Sequence, residues 1–202
     1  MAETIHLVEF NDKIIETTVT NKASVAQYWL QNIAKSSKRR GKNCRIVGMG
    51  CKYVRHPINS MSNKVAILQL CVDTKCLVLQ LQHMDYTPHS IIDFLNDSQT
   101  TFVGVEIQAN SLKLLKDYAL KVSHKVDLHF LAKRWFPVSY KGRPSMKALA
   151  YGVVGLSMRK KSDDYKGDWE SVVLDQELVE QACTDAYACY VIAHKLLQDD
   201  HV

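Results

Sequence analysis

Two strand-length apolar runs, Val65-Ala-Ile-Leu-Gln-Leu-Cys-Val72 and Cys76-Leu-Val-Leu-Gln-Leu81, are separated only by Asp73-Thr-Lys75. That spacing admits an antiparallel hairpin and little else, and runs this apolar belong to strands buried on both faces. A third strand-like run, Cys44-Arg-Ile-Val-Gly-Met49, precedes them. Thr101-Phe-Val-Gly-Val105 follows a short helix around Ser90 to Leu95 and leads into a helix with Leu112, Leu115 and Ala119 on one face. A strand followed by a helix implies a parallel crossover. Lys125-Val-Asp-Leu128 reads as a further strand, and helices are expected over 128–136, over 145–154 with Ser145 as N-cap, and over 175–198 from Asp175. The order from residue 44 onward predicts an α/β fold: a mixed sheet, antiparallel and then parallel, with helices on both faces.

Ahead of this the pattern predicts a hairpin, Ile5–Phe10 and Lys13–Thr20 joined across Asn11-Asp12, and a helix capped by Ser24 with Val25, Trp29, Leu30 and Ile33 at helical spacing. A basic loop is expected to end that helix. With 202 residues, one domain is the better expectation, residues 1–43 being an N-terminal hairpin, helix and loop of the same domain as 44–202. Hydrophobic residues at 47% with only 8 Gly and 4 Pro exclude a disordered or fibrous chain.

The start of the chain has no basic, apolar secretion leader, and no run has the roughly 18 apolar residues of a membrane span, so a soluble intracellular protein of nucleus or cytoplasm is expected. The six cysteines, Cys44, Cys51, Cys71, Cys76, Cys183 and Cys189, form no C-x-x-C pair and are expected to be reduced and mostly buried. The formal net charge is +5, and Lys35, Lys38, Arg39, Arg40 and Lys42 alone equal that excess. Such a run reads as a solvated loop first and as a binding patch second.

Most nucleotide and hydrolase signatures are missing. Gly48-Met-Gly50 is followed by Tyr53 where a dinucleotide loop needs a third glycine, and neither G-x-x-x-x-G-K-[ST] nor G-x-S-x-G occurs. His83 and His89 have no convincing third ligand for zinc.

A dispersed pattern is more specific. Ile46-Val-Gly-Met-Gly-Cys-Lys-Tyr53, Asn63–Cys71, Lys75–Leu81, Thr101–Val105 with Leu112 to Leu115, Val126-Asp-Leu128, Ser145–Leu149, Asp168-Trp169 and Ala182–Tyr187 follow one another in the order of the Werner-type 3′-5′ exonuclease domain. The chain resembles this family over roughly 150 residues, with the flavour of its plant members. The resemblance implies a ribonuclease H-like sheet whose four carboxylates hold two divalent cations, with a tyrosine orienting the attacking water.

Carried over position by position, the first strand's Asp-x-Glu falls on Gly50-Cys51-Lys52, the next carboxylate on Asn110, the last on Asp185, and the tyrosine on Gln181. The family's four acids are thus replaced by Asp185 and the opposite charge of Lys52, a formal sum of zero. Two-metal catalysis is expected to fail, no cofactor is expected, and Lys52 is expected to pair with Asp185 in place of the metals. The open alternatives are a solvated Lys52, or a weak nuclease holding Mg²⁺ or Mn²⁺ through Asp185 and Glu106. Asp127 reads as a strand-end residue, Asp168 as an anchor for the Trp169 segment, and Trp169 as core packing.

An exonuclease-like groove stripped of acids suits single-stranded nucleic acid, for which Lys52, Arg55, Arg134, Arg143, Arg159 and Lys160 are the candidate contacts. A protein partner is the other expected ligand, and self-association through the N-terminal hairpin and helix is a third reading.

Overall fold

The computed structural model describes residues 3–39, 45–54, 63–133, 142–159 and 167–198, the side chains of 37–39 and 198 excepted. Arg55, Arg134 and Lys160 therefore lie outside the described residues. One seven-stranded mixed sheet organises the chain in the order β1-β2-β5-β4-β3-β6-β7. The strands are β1 (Glu3–Phe10), β2 (Lys13–Thr20), β3 (Arg45–Tyr53), β4 (Val65–Val72), β5 (Lys75–Leu79), β6 (Thr100–Gly104) and β7 (Lys125–Asp127).

Both expected hairpins form, and each places the first residue of its two-residue turn at positive φ, Asn11 at 54° and Asp73 at 53°, as primed hairpin turns require. β3 runs antiparallel to β4 and parallel to β6, which is parallel to β7. The sequence pattern did not foresee that β2 pairs in parallel with β5, which joins the N-terminal hairpin to the main sheet.

Helices cover both faces, as the apolar strands demand. β4 is buried along its whole length. On one face pack α1 (Ala23–Arg39), α2 (His89–Asn96) and α3 (Ile107–Tyr118), through a core that includes Trp29, Ile91, Ile107 and Leu114 with Met49, Leu68 and Phe102. On the other pack α4 (Leu128–Ala132), α5 (Met146–Val154) and α6 (Gln176–Gln198).

Ser145 and Asp175 cap α5 and α6 as expected, accepting the N–H groups of Ala148 and Leu178 at 3.2 and 2.8 Å. Four helical expectations are corrected. α1 begins at Ala23, one residue ahead of a Ser24 cap, because the Asp85 carboxylate accepts the Ala23 N–H at 3.0 Å from outside the helix. The same helix continues through Arg39, so residues 35–39 of the basic run are helical and not loop, while 40–42 lie outside the described residues. Leu112 and Leu115 do not form the packed face of α3: they are exposed, and Ile107, Asn110, Ser111 and Leu114 are buried in their place. Within the described residues α4 stops at Ala132, short of the expected 136. Cys71, Cys76, Cys183 and Cys189 are buried free thiols and Cys51 is half-buried.

Candidate active site

The site lies where the end of β3 meets the middle of α6. Alternation along β3 turns Gly48, Gly50 and Lys52 toward α6. α6 sits directly on the strand: a Cβ at Gly48 would stand 2.1 Å from the Ala186 carbonyl oxygen and 2.7 Å from the Tyr190 nitrogen. Glycine at this position permits backbone-to-backbone packing that any side chain would block. The close approach brings Asp185 over Lys52, and Lys52 Nζ donates to Asp185 Oδ2 at 2.5 Å. Both side chains are largely covered, 17% and 19% exposed.

Lys52 Nζ also lies 5.3 Å from the centroid of the Trp169 ring. Trp169 packs against the α6 core as expected, but it is also a wall of the site, holding the ammonium by cation–π attraction. Asp168 anchors that segment, accepting the Glu170 N–H at 3.1 Å. Burial first, and then the Asp185 carboxylate, push the Cys189 thiol above its ordinary range.

Gly50 faces Gln69 across the β3–β4 pair. A Cβ at Gly50 would fall 2.4 Å from Gln69 Oε1, so the glutamine end fills the space that a side chain at position 50 would take. Gln69 is 1% exposed, and its Nε2 has no hydrogen-bond partner among the described residues. Asn110, in the first turn of α3, accepts the Tyr53 hydroxyl and donates Nδ2–H to the Val105 carbonyl at 3.3 Å. Burial, then Cys51, Glu106 and Asp117, push the Tyr53 hydroxyl above its ordinary range. Glu106 is exposed at positive φ just before α3. Asp127 has the structural part expected of it, accepting the His129 N–H at 2.9 Å and the Ile107 N–H at 3.3 Å.

Gln181 stands one helical turn before Asp185, and both line a cavity of about 330 Å³ beside β1. Among the described residues its charged lining is Glu9, Glu177, Glu180 and Asp185 against Arg159, and Arg159 pairs with Glu180 at 3.2 Å. Arg143 is exposed ahead of α5. Of the described basic candidates, Lys52 and Arg159 thus come to the neighbourhood of Asp185, each beside a carboxylate. Among the described residues, no three His, Cys, Asp or Glu side chains converge to hold a metal ion, and no helix is long and apolar enough to cross a membrane.

Gln69, Tyr53 and the cation–π role of Trp169 were missed by sequence reading. One usable signal existed: Gln69 is the sole polar residue of the Val65–Val72 run.

The 3′-5′ exonuclease family model of the DNA polymerase A type matches residues 39–199. A 3′-5′ exonuclease of Arabidopsis thaliana is 30% identical over 140 residues, covering 69% of this chain and 47% of the relative. The bifunctional 3′-5′ exonuclease/ATP-dependent helicase WRN of Mus musculus is 28% identical over 135 residues, covering 66% of this chain and 10% of the relative. The chain thus spans less than half the length of these relatives.

Among solved structures, Escherichia coli RNase D, an exoribonuclease, aligns over 89% of this chain and 44% of its own at TM-score 0.69 and 14% identity. Brucella melitensis NrnC bound to pGG aligns over 78% of this chain and 74% of its own at TM-score 0.63 and 18% identity. These likenesses establish the fold as ribonuclease H-like. On a match spanning most of its length, the chain belongs to the 3′-5′ exonuclease domain family.

Proposed function

We propose that this chain is a catalytically inactive member of its family, one that binds a nucleic acid or a protein without cutting it. The observation that carries this reading is the Lys52–Asp185 pair at 2.5 Å. A divalent cation needs several oxygen ligands and a local excess of negative charge to offset its dehydration. Here the one acid retained at the family's positions is already answered by an ammonium, and the space at Gly50 is filled by an amide. These residues do not suit the family's two-metal centre, and Lys52 supplies the positive charge that the metals would bring.

The acidic lining of the neighbouring cavity favours a protein partner over a phosphate backbone on that side. The Arabidopsis relative agrees with a plant-type member, residues 1–43 and 44–202 act as one domain, and the site of action is the nucleus or cytoplasm. The test is digestion of 3′-labelled single-stranded and recessed DNA and RNA in Mg²⁺ and in Mn²⁺, where no shortening is expected. End-trimming that disappears in Asp185→Ala would overturn the reading.

Family membership favours a second reading, a weak nuclease using Asp185 and Glu106, since the relative in the EXD2 exonuclease crystal was soaked in Mn. The same assay decides between the two, with Glu106→Gln as the added variant.

A further inference from the structure

Among the described residues β1 is the outer strand of the sheet, and its outward backbone groups can be located from its partner. Glu16 donates its N–H to Thr74 on the β5 side, and Thr20 there accepts from Gln80. The even residues of β2 therefore turn their backbone groups toward β5 and the odd ones toward β1. Opposite the odd residues stand Thr4, His6, Val8 and Phe10, so the N–H and C=O groups of Glu3, Ile5, Leu7 and Glu9 point outward.

Exposed edges are ordinarily guarded by Lys, Pro, a bulge or a covering segment. β1 contains neither Lys nor Pro, and it pairs with β2 in one uninterrupted register. Ile5 and Leu7 are 61% and 67% exposed, and Ile14, opposite Glu9 on β2, is 58% exposed. On the other side of the same edge lies the cavity of about 330 Å³, whose walls include Val8, Phe10 and Met158. Of the four acids among its described lining residues, Asp185 is answered by Lys52 and Glu180 by Arg159; Glu177 remains on the cavity side, while Glu9 by alternation shares the face of Ile5 and Leu7.

We propose that β1 is a docking edge for an extended segment of another polypeptide, paired antiparallel, with basic residues opposite Glu3 and Glu9 and apolar residues opposite Ile5 and Leu7. Main-chain hydrogen bonds supply the attachment, and side chains on the alternate face of the added strand enter the cavity. Charge chooses the occupant. In a second copy of this chain, the register that pairs Ile5 with Leu7 sets Glu3 against Glu9, and the register that pairs Leu7 with Leu7 sets Ile5 against Glu9. A phosphate backbone would meet acids on both faces. The inference goes beyond the reading above and holds whether or not the site cuts nucleic acid.

The test uses the full 202-residue chain and a fluorescent peptide, Lys-Thr-Ile-Thr-Val-Thr-Lys, beside a counterpart with Glu at both ends. Anisotropy titration should show the Lys-flanked peptide binding about tenfold more tightly than the Glu-flanked one, since two cross-strand charge pairs change sign. Glu3→Lys combined with Glu9→Lys should reverse that preference. Leu7→Pro deletes an outward N–H and no internal hydrogen bond, so it should abolish peptide binding with the melting temperature little changed. Equal affinity for both peptides, no binding of either at millimolar concentration, or binding unaffected by the charge reversal overturns the proposal. So does a doubled mass in sedimentation that Leu7→Pro returns to the monomer, because the edge would then belong to a second copy.

Discussion

Lys52 and Asp185 stabilise each other only as a pair, because each is mostly covered and a lone charge there would lack its counterpart. Lys52→Met is expected to lower stability by about 1–3 kcal/mol, a figure reduced for the remaining solvent access. Adding Asp185→Asn should cost less than the two single changes summed, which urea unfolding of the four proteins in a double-mutant cycle measures. Gly50→Asp alone should destabilise, since its Cβ meets Gln69 Oε1 at 2.4 Å, and Gln69→Ala should recover part of the loss. With Lys52→Glu and Asn110→Asp added to both changes, calorimetry should detect Mn²⁺ binding tighter than that of the native chain. The pairing of Lys52 with Asp185 was legible in the sequence because both positions align with the family's acids. The Gln69–Gly50 contact was not, because it depends on which residues of β4 and β3 stand opposite each other, and periodicity within one strand does not encode that register.

At the scale of the element, α1 owes its start to a residue far along the chain. The Ala23 N–H first, then the Tyr86 N–H and Lys22, outweigh a burial penalty and hold the Asp85 carboxyl below the usual carboxylate range. A depressed folded value means that this contribution is complete above the unfolded value of about 4 and is lost as pH falls through the folded one. The protection of first-turn amides of α1, corrected for intrinsic exchange, should therefore fall below about pH 4, and Asp85→Asn should flatten that dependence. Local pattern could place α1 within a residue, yet could not identify a cap delivered from position 85. α3 was misread for a different reason: it carries two apolar stripes, Ile107 with Leu114 and Leu112 with Leu115, and periodicity cannot choose which faces the sheet. Leu112→Lys with Leu115→Glu should change stability by less than about 1 kcal/mol, since both side chains are exposed. A large loss in urea titration would mean that this stripe is buried after all.

For the whole molecule, the N-terminal hairpin and α1 are structural parts of the sheet and core. The family match begins at residue 39, yet Val8, Phe10, Ile15, Val19, Trp29, Leu30 and Ile33 are all buried ahead of it. At roughly 1.5–3 kcal/mol for each large apolar side chain, their combined burial rivals the 5–15 kcal/mol of a typical domain. Removing residues 1–43 should leave an insoluble or unfolded remainder, checked by circular dichroism and solution scattering, because it also uncovers the edge of β5. The α/β class, the antiparallel-then-parallel order and the two-sided helical cover were readable from the apolar runs. The parallel join of β2 to β5 was not, because it links segments more than fifty residues apart with no local signature.

The seat of α6 on Gly48 bears on how such a molecule can change its chemistry. What holds helix and strand at that spacing is main chain against main chain, Ala186 and Tyr190 over a residue without a side chain. The spacing of strand and helix beneath positions 50, 52, 181 and 185 is therefore set without their side chains. Side chains at positions 50 and 52 could therefore be exchanged by single steps, glycine and lysine among them, while strand and helix kept their spacing.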